Sequence, residues 1–268
     1  MGRHSFAAGL GDAALWSAAM LAVLALGTTP SVSADVHVFS SGAAAEVQEA
    51  FATKFAGTTG NRIVLTAGTI DKILEQLPRA EHRDVVVLPA PAIDALDRAG
   101  TLRPGSRIDL ARVGIGVVVR EGRPLPDIST ADALRKTLLD ARSIAHPDPL
   151  GGGFAGAQTA RMLARLGIAD AVKPKTTLMF AFAGGVAQVA KGEVELGLFN
   201  ISEILPVKGV TLVGPLPPDL QSYLVFSGAV HVNSASPEAA AAYLQALSDP
   251  NARDAWRKAG FESLDHAH

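Results

Sequence analysis

The apolar positions of this chain recur in a repeated order: a short β-forming run, a turn of small residues, and then helical spacing. The first such unit is Asp35–Phe55, where the β-forming run Val36–Phe39 precedes the turn Ser40–Gly42. After the turn, apolar residues recur every four positions between Val47 and Phe55, which predicts one buried helix face. The pattern therefore predicts a strand, a tight turn and a helix.

The same order of β-forming runs, turns and helical spacing continues to the end of the chain. The further predicted strands are Asn61–Thr66, Val85–Leu88, Val113–Arg120, Arg142–His146, Glu195–Phe199, Val210–Val213 and Tyr223–Val232. The further predicted helices, before two at the C-terminal end, are Ile70–Leu77, Pro91–Ala99, Ser129–Ala141, Phe154–Leu166 and Val186–Lys191. Val85–Leu88 is apolar at every position, which is typical of a strand buried on both faces. Strands that alternate with helices favour a parallel α/β sheet.

Two serines between the first predicted strand and helix are candidate ligand donors. A helix N-terminus carries unpaired backbone N–H groups and the positive end of the helix dipole. Ser40 and Ser41 add hydroxyl groups at the carboxyl end of a strand, so this turn suits an anion. The alternative is that one of the two serines merely caps the helix. The pattern leaves both interpretations open.

A glycine-rich loop at Pro147–Gly153 leads directly into the predicted helix Phe154–Leu166. Three consecutive glycines allow the backbone to approach a ligand closely, and they stand where the N–H groups of the helix are unpaired. Gly152 and Gly153 are therefore candidate ligand contacts. The alternative is a surface loop without a ligand, and the sequence leaves both open.

Residues 1–34 have the pattern of a secretory signal peptide. A short basic start is followed by an apolar stretch at 13–26 and by small residues at 32–34. The apolar stretch is shorter than the about 20 residues that cross a bilayer, and an uncleaved anchor is the alternative. No cysteine follows the cleavage position, which excludes a lipid anchor. We therefore expect a mature periplasmic protein that begins at Asp35, has no membrane anchor and ends in a disordered tail at 265–268.

Charge and cysteine content narrow the classes of function. The 268 residues carry a formal net charge of −2, which argues against a nucleic acid or an anionic membrane as partner. The chain has no cysteine, so thiol catalysis, disulfides and cysteine-ligated zinc are excluded. The mature chain is long enough to build one core or two lobes.

Sequence motifs of enzymes are missing. The chain has no G-x-S-x-G elbow, no H-E-x-x-H pair and no G-x-x-x-x-G-K-S/T loop. The histidines of the predicted folded region, His37, His82, His146 and His231, are isolated from one another in sequence. We therefore predict no catalytic residue, no metal and no cofactor. His146 precedes the glycine-rich loop, so it is either a strand-end residue or a contact in a cleft.

Five segments follow one another in an order and spacing that resemble a known family. They are the strand–serine–helix unit Val36–Phe55, the segment FAGTTGNRIVLTAGT at Phe55–Thr69, the strand Asp84–Leu88, the segment AKGEVELGLF at Ala190–Phe199, and Ser236–Leu264 with AGFESL near its end. In these features the chain resembles the periplasmic molybdate-binding protein family, within the two-lobed type II substrate-binding proteins of ABC transporters. The resemblance covers nearly the whole mature chain.

The resemblance implies an α/β fold of two lobes, with mixed sheets, helices on both faces and one ligand in the cleft between the lobes. Lobe I would comprise residues 35–114 and 228–264, and lobe II would comprise residues 115–227. Two crossing strands, near Val113–Val119 and Tyr223–Val230, would join the lobes and act as a hinge when the lobes close on the ligand.

The resemblance also implies a set of ligand contacts. The positions used by the family fall here on Ser40, Ser41, Gly68, Thr69, and on Ala183 or Gly184. In that family such residues supply hydroxyl and backbone N–H donors to an oxyanion. This agrees with the physical argument that donors at helix N-termini suit an anion without any lysine or arginine.

The chain departs from the family pattern after the strand Glu195–Phe199. Asn200 stands where the family usually has a tyrosine, and an amide can both donate and accept hydrogen bonds. Ser202 and Glu203 follow, and a carboxylate facing the cleft would repel an anion. Asn200 and Ser202 are candidate ligand contacts. Glu203 either points to solvent or caps another group, or it faces the cleft and marks a ligand that carries a donor or a cation. The ligand is accordingly a small anion, either a molybdate-like oxyanion or an organic carboxylate.

Together these features predict a monomeric periplasmic substrate-binding protein. It would capture its anion between the lobes and deliver it to a membrane permease of an ABC-type transporter. One alternative is a periplasmic sensor that docks on a signalling protein. Another alternative is a periplasmic hydrolase, which the missing nucleophile and base disfavour.

Overall fold

The computed structural model describes residues 33–151, 153–179 and 184–264. The strands are β1 (Asp35–Ser41), β2 (Arg62–Gly68), β3 (Val85–Pro89), β4 (Ile108–Arg120), β5 (Ile144–Pro147), β6 (Thr176–Met179), β7 (Leu196–Asn200), β8 (Val210–Pro215), β9 (Tyr223–Val230) and β10 (Glu262–Ser263). The α-helices are α1 (Gly42–Thr59), α2 (Ile70–Gln76), α3 (Ala90–Arg98), α4 (Ala131–Asp140), α5 (Phe154–Arg165), α6 (Ala169–Val172), α7 (Gly185–Lys191), α8 (Ile201–Ile204), α9 (Pro237–Ser248) and α10 (Arg253–Lys258). The predicted signal peptide up to residue 32 and the predicted tail lie outside the described residues.

The strands form one continuous mixed sheet in the order β2-β1-β3-β9-β4-β7-β5-β6, with β8 and β10 also paired to β4. β1 is parallel to β2 and β3, and β5 is parallel to β6 and β7. β9 is antiparallel to β3 and β4, and β4 is antiparallel to β7, β8 and β10. The mixed sheet implied by the family resemblance is therefore confirmed. The fully parallel sheet expected from the alternation of elements is wrong, because parallel pairing is confined to two groups of three strands.

Strand β4 connects two halves of this sheet. Its first part, Ile108–Gly114, pairs with β9, and its second part, Ile115–Arg120, pairs with β7 and β8. β9 pairs along its whole length with strands of the first half, so the chain returns to this half within residues 216–222. The predicted lobe boundaries at 114/115 and 227/228 stay predictions, and the strand pairing places Tyr223–Ser227 in the sheet of the first half.

The sequence pattern missed the first part of β4 and all of β6. Ile108–Arg112 mixes charged and apolar residues because Asp109 accepts a hydrogen bond from Ser227 Oγ and Arg112 forms an ion pair with Glu262. These partners lie more than 100 residues away in the chain, so local composition does not predict the strand.

Strand β3 separates two apolar clusters in the first half. Val85 and Val87 belong to a cluster with α1, α9 and α10, whereas Val86 and Leu88 belong to one with α2 and α3. All four side chains are fully buried, which confirms the prediction that this strand is buried on both faces. The second half has its own clusters, one built with α4, α5 and α6 and one built with α7. Among the described helices, none combines the length and the apolar character required to cross a membrane.

The carboxyl ends of both parallel groups meet at the middle of β4. Because β9 is antiparallel to β3 and to β4, β4 runs in the direction of β1, β2 and β3. Because β7 is antiparallel to β4, it runs towards the first half, together with β5 and β6. The last residue of β7, Asn200, pairs with Ile115 immediately after the point where β4 leaves the first half. The carboxyl ends of parallel strands are where α/β proteins bind ligands. We therefore locate the candidate site at this point, where β4 crosses from the first half of the sheet to the second, which we call the crossing.

Candidate functional site

Ser40 is part of a buried hydrogen-bond network that supports the first turn. Its hydroxyl donates to the carbonyl of Ser41 at 3.1 Å and accepts from Nε2 of Gln48 at 2.6 Å. The hydroxyl of Tyr243 donates to Oε1 of Gln48 at 3.4 Å. Ser40, Gln48 and Tyr243 are all fully buried. Both hydrogen-bonding functions of the Ser40 hydroxyl are therefore used inside the protein, which favours its neighbour as the ligand donor.

Ser41 has a hydroxyl without a partner. It occupies the position before α1, yet its side chain makes no capping hydrogen bond to this helix. Its Oγ atom is buried and has no hydrogen-bond partner within the described part of the chain, and the residue is 6% exposed. A buried unsatisfied hydroxyl costs about 1–3 kcal/mol, so its presence requires a reason. The alternative that Ser40 or Ser41 caps the helix is therefore wrong, and Ser41 Oγ is free to donate to a ligand.

The second predicted turn lies beside the first. In the register of β1 and β2, Ser41 is the direct partner of Gly68. The Oγ1 atom of Thr69 accepts a hydrogen bond from the backbone N–H of Lys72 at 3.4 Å, so Thr69 caps α2. A hydroxyl that accepts in this way keeps its proton for donation to another group. The structure thus brings Ser41, Gly68 and Thr69 together at the carboxyl ends of adjacent parallel strands.

In the second half, two predicted contacts stand directly before helices. Gly153 precedes α5, and Gly184 precedes α7 with φ 72°, in the left-handed region that favours glycine. Gly185 packs so tightly that a Cβ atom there would lie 2.6 Å from the ring of Phe199. Two further predicted contacts of this half, Gly152 and Ala183, lie outside the described residues.

Asn200 and Glu203 form a polar pair at the end of β7. The Nδ2 atom of Asn200 donates to Oε1 of Glu203 at 2.7 Å. Within the described residues, Oδ1 of Asn200 is buried and has no hydrogen-bond partner. Glu203 is half-buried, and burial raises the pKa of its carboxyl although the hydrogen bond from Asn200 opposes this shift. Glu203 is therefore neither fully exposed to solvent nor without a partner, because its half-buried carboxyl accepts the hydrogen bond from Asn200.

Helix α8 is held in the seam between the two halves. Ile201 belongs to this second-half helix but packs against the core of the first half. A Cβ atom on Gly116 would lie 2.8 Å from the Ile201 side chain, and one on Gly260 would lie 3.0 Å from the backbone of Ile201 and Ser202. The absence of side chains at these two glycines therefore lets α8 approach both halves. Ser202, a predicted contact, is buried in this seam.

Gln221 supports the crossing itself, and no pattern in the sequence indicated this role. Its side-chain amide accepts from the backbone N–H of Ile115 at 3.0 Å and donates to the carbonyl of Ile115 at 2.9 Å. A Cβ atom on the preceding Gly114 would lie 2.8 Å from the same amide. The Gln221 side chain thereby satisfies the backbone N–H and carbonyl of Ile115, the residue where the partner of β4 changes from β9 to β7.

His146 is a buried strand residue. It lies in β5, is 3% exposed, and its Nδ1 atom lies 2.8 Å from the carbonyl oxygen of Pro147. Burial lowers the pKa of its imidazole, and the hydrogen bond to Pro147 opposes this effect. Of the two roles considered for His146, its geometry favours a structural residue at a strand end. Among the described residues, no cluster of three or more histidine, aspartate or glutamate side chains could hold a metal ion.

A cavity of about 470 Å³ lies away from the crossing. Its lining includes Val119 and Leu196, which pair where β4 ends and β7 begins. The candidate site lies at the opposite end of the same strand pair, at Ile115 and Asn200. None of the predicted ligand contacts lines this cavity.

Comparisons with known proteins identify relatives of the chain. Residues 36–262 match the family described as bacterial extracellular solute-binding protein. The chain is also 33% identical, over 254 residues, to a Pseudomonas protein named aconitate isomerase. This alignment covers 91% of the chain and 95% of the relative.

Solved structures with the same fold are binding proteins. A substrate-binding domain assigned to a molybdenum ABC transporter of Clostridium difficile has a TM-score of 0.76 at 15% identity and covers 87% of this chain and 100% of its own. The periplasmic molybdate-binding protein of Azotobacter vinelandii has a TM-score of 0.64 at 21% identity, and the match covers 86% of this chain and 100% of that protein. The sulfate-binding protein SubI of Mycobacterium tuberculosis has a TM-score of 0.65 at 16% identity, and the match covers 87% of this chain and 88% of that protein.

At these identities the similarity concerns the fold alone, and it confirms the two-lobed α/β fold of the type II substrate-binding proteins. The match along residues 36–262 covers both halves of the sheet and the crossing between them. The chain therefore belongs to the bacterial extracellular solute-binding protein family.

Proposed function

We propose that this protein binds a small organic anion, a di- or tricarboxylate, in the cleft where β4 crosses between the two halves. The observation that carries this proposal is the buried, unpartnered hydroxyl of Ser41 at the start of an 18-residue helix. A carboxylate at this position accepts from the hydroxyl and from the unpaired N–H groups of α1, and the helix dipole favours its charge.

Two observations favour an organic anion over a compact oxyanion such as molybdate. The first is the relative named aconitate isomerase, because aconitate is a tricarboxylate. The second is the half-buried carboxyl of Glu203, which is hydrogen-bonded to Asn200 at the end of β7. Repulsion between like charges falls with distance, so an elongated ligand can place a carboxylate at Ser41 and keep it away from Glu203.

In the cell, the bound anion would be delivered to a membrane permease of an ABC-type transporter from the periplasm, after removal of the signal peptide at residues 1–34. The ligand would bridge donors in both halves and so favour a closed state, with bending at β4 and at the return segment 216–222. A periplasmic sensor would use the same binding step and a different partner. Genes for a permease and an ATPase beside the gene of this protein would support transport.

Thermal unfolding of the mature protein against a panel of anions tests the proposal. The panel contains molybdate, tungstate, sulfate, phosphate, and mono-, di- and tricarboxylates, at equal ionic strength. A ligand at 100 times its Kd adds about 2.7 kcal/mol of stability. We expect a rise in Tm with carboxylates only. A rise with molybdate and tungstate only would contradict the proposal in favour of an oxyanion receptor.

The contribution of Ser41 is tested by Ser41→Ala. Loss of one hydrogen bond to a charged group should weaken binding by ~1–2 kcal/mol, which isothermal titration calorimetry measures. Ser248→Ala, at the C-terminal end of α9, is the matched control and should bind as the wild type does. An unchanged affinity in folded Ser41→Ala would remove the first turn from the site.

A second candidate function is isomerisation of a bound unsaturated tricarboxylate. The observation that favours it is the 33% identity to the protein named aconitate isomerase, over 95% of that protein. Shifting a double bond beside a carboxylate requires a group that removes and returns a proton. Glu203 is the candidate for this group, because burial raises the pKa of its carboxyl above the ordinary value.

Incubation with cis- or trans-aconitate in D₂O, followed by NMR, separates the two functions. Interconversion with deuterium incorporation in the wild type, and its loss in Glu203→Gln, would establish an isomerase. Binding without interconversion would support a receptor that has no enzymatic activity, as predicted from the sequence.

A further inference from the structure

The second half of the cleft contains a hydrogen-bond acceptor without a partner. A carboxylate only accepts, so the bond from Asn200 Nδ2 to Glu203 fixes the orientation of the amide. Oδ1 of Asn200 therefore points away from Glu203, and it is buried with no donor to it among the described residues. Asn200 pairs with Ile115, so this acceptor lies beside the crossing of β4.

The surroundings of Asn200 hold this acceptor in place. The next residue, Ile201, is enclosed between Gly116 and Gly260, where any additional carbon atom would come within 3.0 Å of α8 or its side chain. The segment after β7 has little freedom to turn Oδ1 towards solvent. A buried acceptor in a rigid position is suited to a donor that a ligand brings.

The two halves of the cleft differ in polarity. The first half offers donors, namely the Ser41 hydroxyl and the N–H groups of α1, whereas the second half offers the Asn200 acceptor. We infer that the ligand places a carboxylate at Ser41 and presents an O–H group to Oδ1 of Asn200. This inference rests on the proposed function and refines its ligand class. The O–H group belongs either to an alcohol, as in a hydroxy acid, or to a carboxyl group that stays protonated when bound.

Matched ligand pairs detect an alcohol donor. Malate and succinate differ by one hydroxyl, and so do citrate and tricarballylate. If the donor is an alcohol, the wild type binds the hydroxylated member of a pair at least ~10-fold more tightly, because the other member leaves Oδ1 unpaired. The preference disappears in Asn200→Ala and in Asn200→Leu, which has nearly the same shape. The control variant is Asn233→Ala, near the amino-terminal end of β3, and it keeps the preference for the hydroxylated ligand.

Calorimetry in two buffers of different ionisation enthalpy detects a carboxyl donor. In that case the wild type takes up a proton when it binds succinate or tricarballylate, and both Asn200 variants lose this uptake. Circular dichroism and Tm show that the variants are folded. Carboxylate binding with neither a hydroxyl preference nor a proton uptake that depends on Asn200 would overturn the inference and leave the proposed function intact. The absence of binding by any organic anion would overturn both.

Discussion

At the end of β1, two neighbouring serines lie in different environments. Ser40 is bonded to Gln48 and to the carbonyl of Ser41, whereas Ser41 Oγ has no partner among the described residues. The difference arises because successive side chains of a strand point to opposite faces. One serine therefore stabilises the turn, and the other is available to a ligand.

Substitution of each serine by alanine should separate these roles. Ser40→Ala leaves the buried amide of Gln48 with a weaker set of partners, so the free energy of unfolding should fall by about 1–2 kcal/mol. Ser41→Ala removes no internal hydrogen bond and should change stability by less than about 0.5 kcal/mol. Urea unfolding of both variants checks this. Equal losses of stability would contradict the division of roles.

Gln48 is a residue that the sequence pattern could have revealed. It lies on the same face of α1 as Ala44, Phe51 and Phe55, all of which are buried. A polar side chain on a buried helix face needs a partner, so its presence predicts an internal hydrogen bond. The identity of the partners, Ser40 and Tyr243, follows only from the packing of α1 and α9 against β1.

Among the elements, two helices contain glycines with opposite surroundings. A Cβ atom on Gly57 in α1 would meet nothing within 4 Å. On Gly156 in α5 it would lie 2.6 Å from the carbonyl oxygen of Pro147 and 2.7 Å from that of Asp148. The start of α5 therefore packs directly on the backbone at the end of β5.

Alanine at these two positions should have opposite effects on stability. Gly57→Ala should stabilise the protein by about 0.5–1 kcal/mol, because alanine has the lower conformational entropy in the unfolded chain. Gly156→Ala should destabilise it by about 1–3 kcal/mol, because the added methyl group collides with backbone atoms. Thermal and urea unfolding measure both changes. A neutral Gly156→Ala would show that α5 can move away from β5.

Strand β4 is the element on which the site depends most. It pairs with β9 up to Gly114 and with β7 from Ile115 onwards. The half that offers donors and the half that offers an acceptor therefore meet along one strand. Gln221 completes the hydrogen bonding of Ile115 at this point. The strand partner of β4 therefore changes between Gly114 and Ile115, and Gln221 adds side-chain hydrogen bonds at this change of partner.

For the whole molecule, two buried histidines connect stability to pH. Burial lowers the pKa of His146 and of His231, and for His231 the nearby Arg83 adds to this effect. The unfolded chain binds protons at these residues below a pH of about 6.5, whereas the folded protein resists protonation. Each histidine therefore makes the protein less stable as the pH falls through this value. Glu203 acts in the opposite direction, because burial raises its pKa.

Lowering the pH from 7.5 to 5.5 should therefore reduce the free energy of unfolding, with a slope of at most ~1.4 kcal/mol per pH unit for each histidine. His146→Gln should flatten this dependence. The difference in slope between this variant and the wild type gives the contribution of His146 separately from that of Glu203. Exposed His82 provides the control variant His82→Gln. Urea unfolding at several pH values measures the slopes. An unchanged slope in His146→Gln would show that the pKa of this imidazole is the same in the folded and the unfolded protein.

Local patterns in the sequence were sufficient for the elements that carry a regular apolar period. The strand–turn–helix unit around Ser40 and Ser41, the fully apolar β3 and the C-terminal helices follow from side-chain spacing, because burial of one face depends on the period alone. The order of these units carried the resemblance to a two-lobed binding protein. The position of the site at a strand end follows from the same order, since parallel strands direct helix N-termini to one edge.

Only the tertiary structure decided how those elements pair and which polar atoms remain free. The first part of β4 is a strand because β9 and β10 lie beside it, although both are distant in sequence. Whether a serine or an asparagine binds a ligand depends on the partners that the fold supplies, as Gln48 does for Ser40 and Glu203 does for one atom of Asn200. Which polar atoms have hydrogen-bond partners depends on how the whole molecule packs. The sequence alone therefore predicted the kind of site, donors at helix N-termini, whereas the tertiary structure decided which polar atoms are free to bind a ligand.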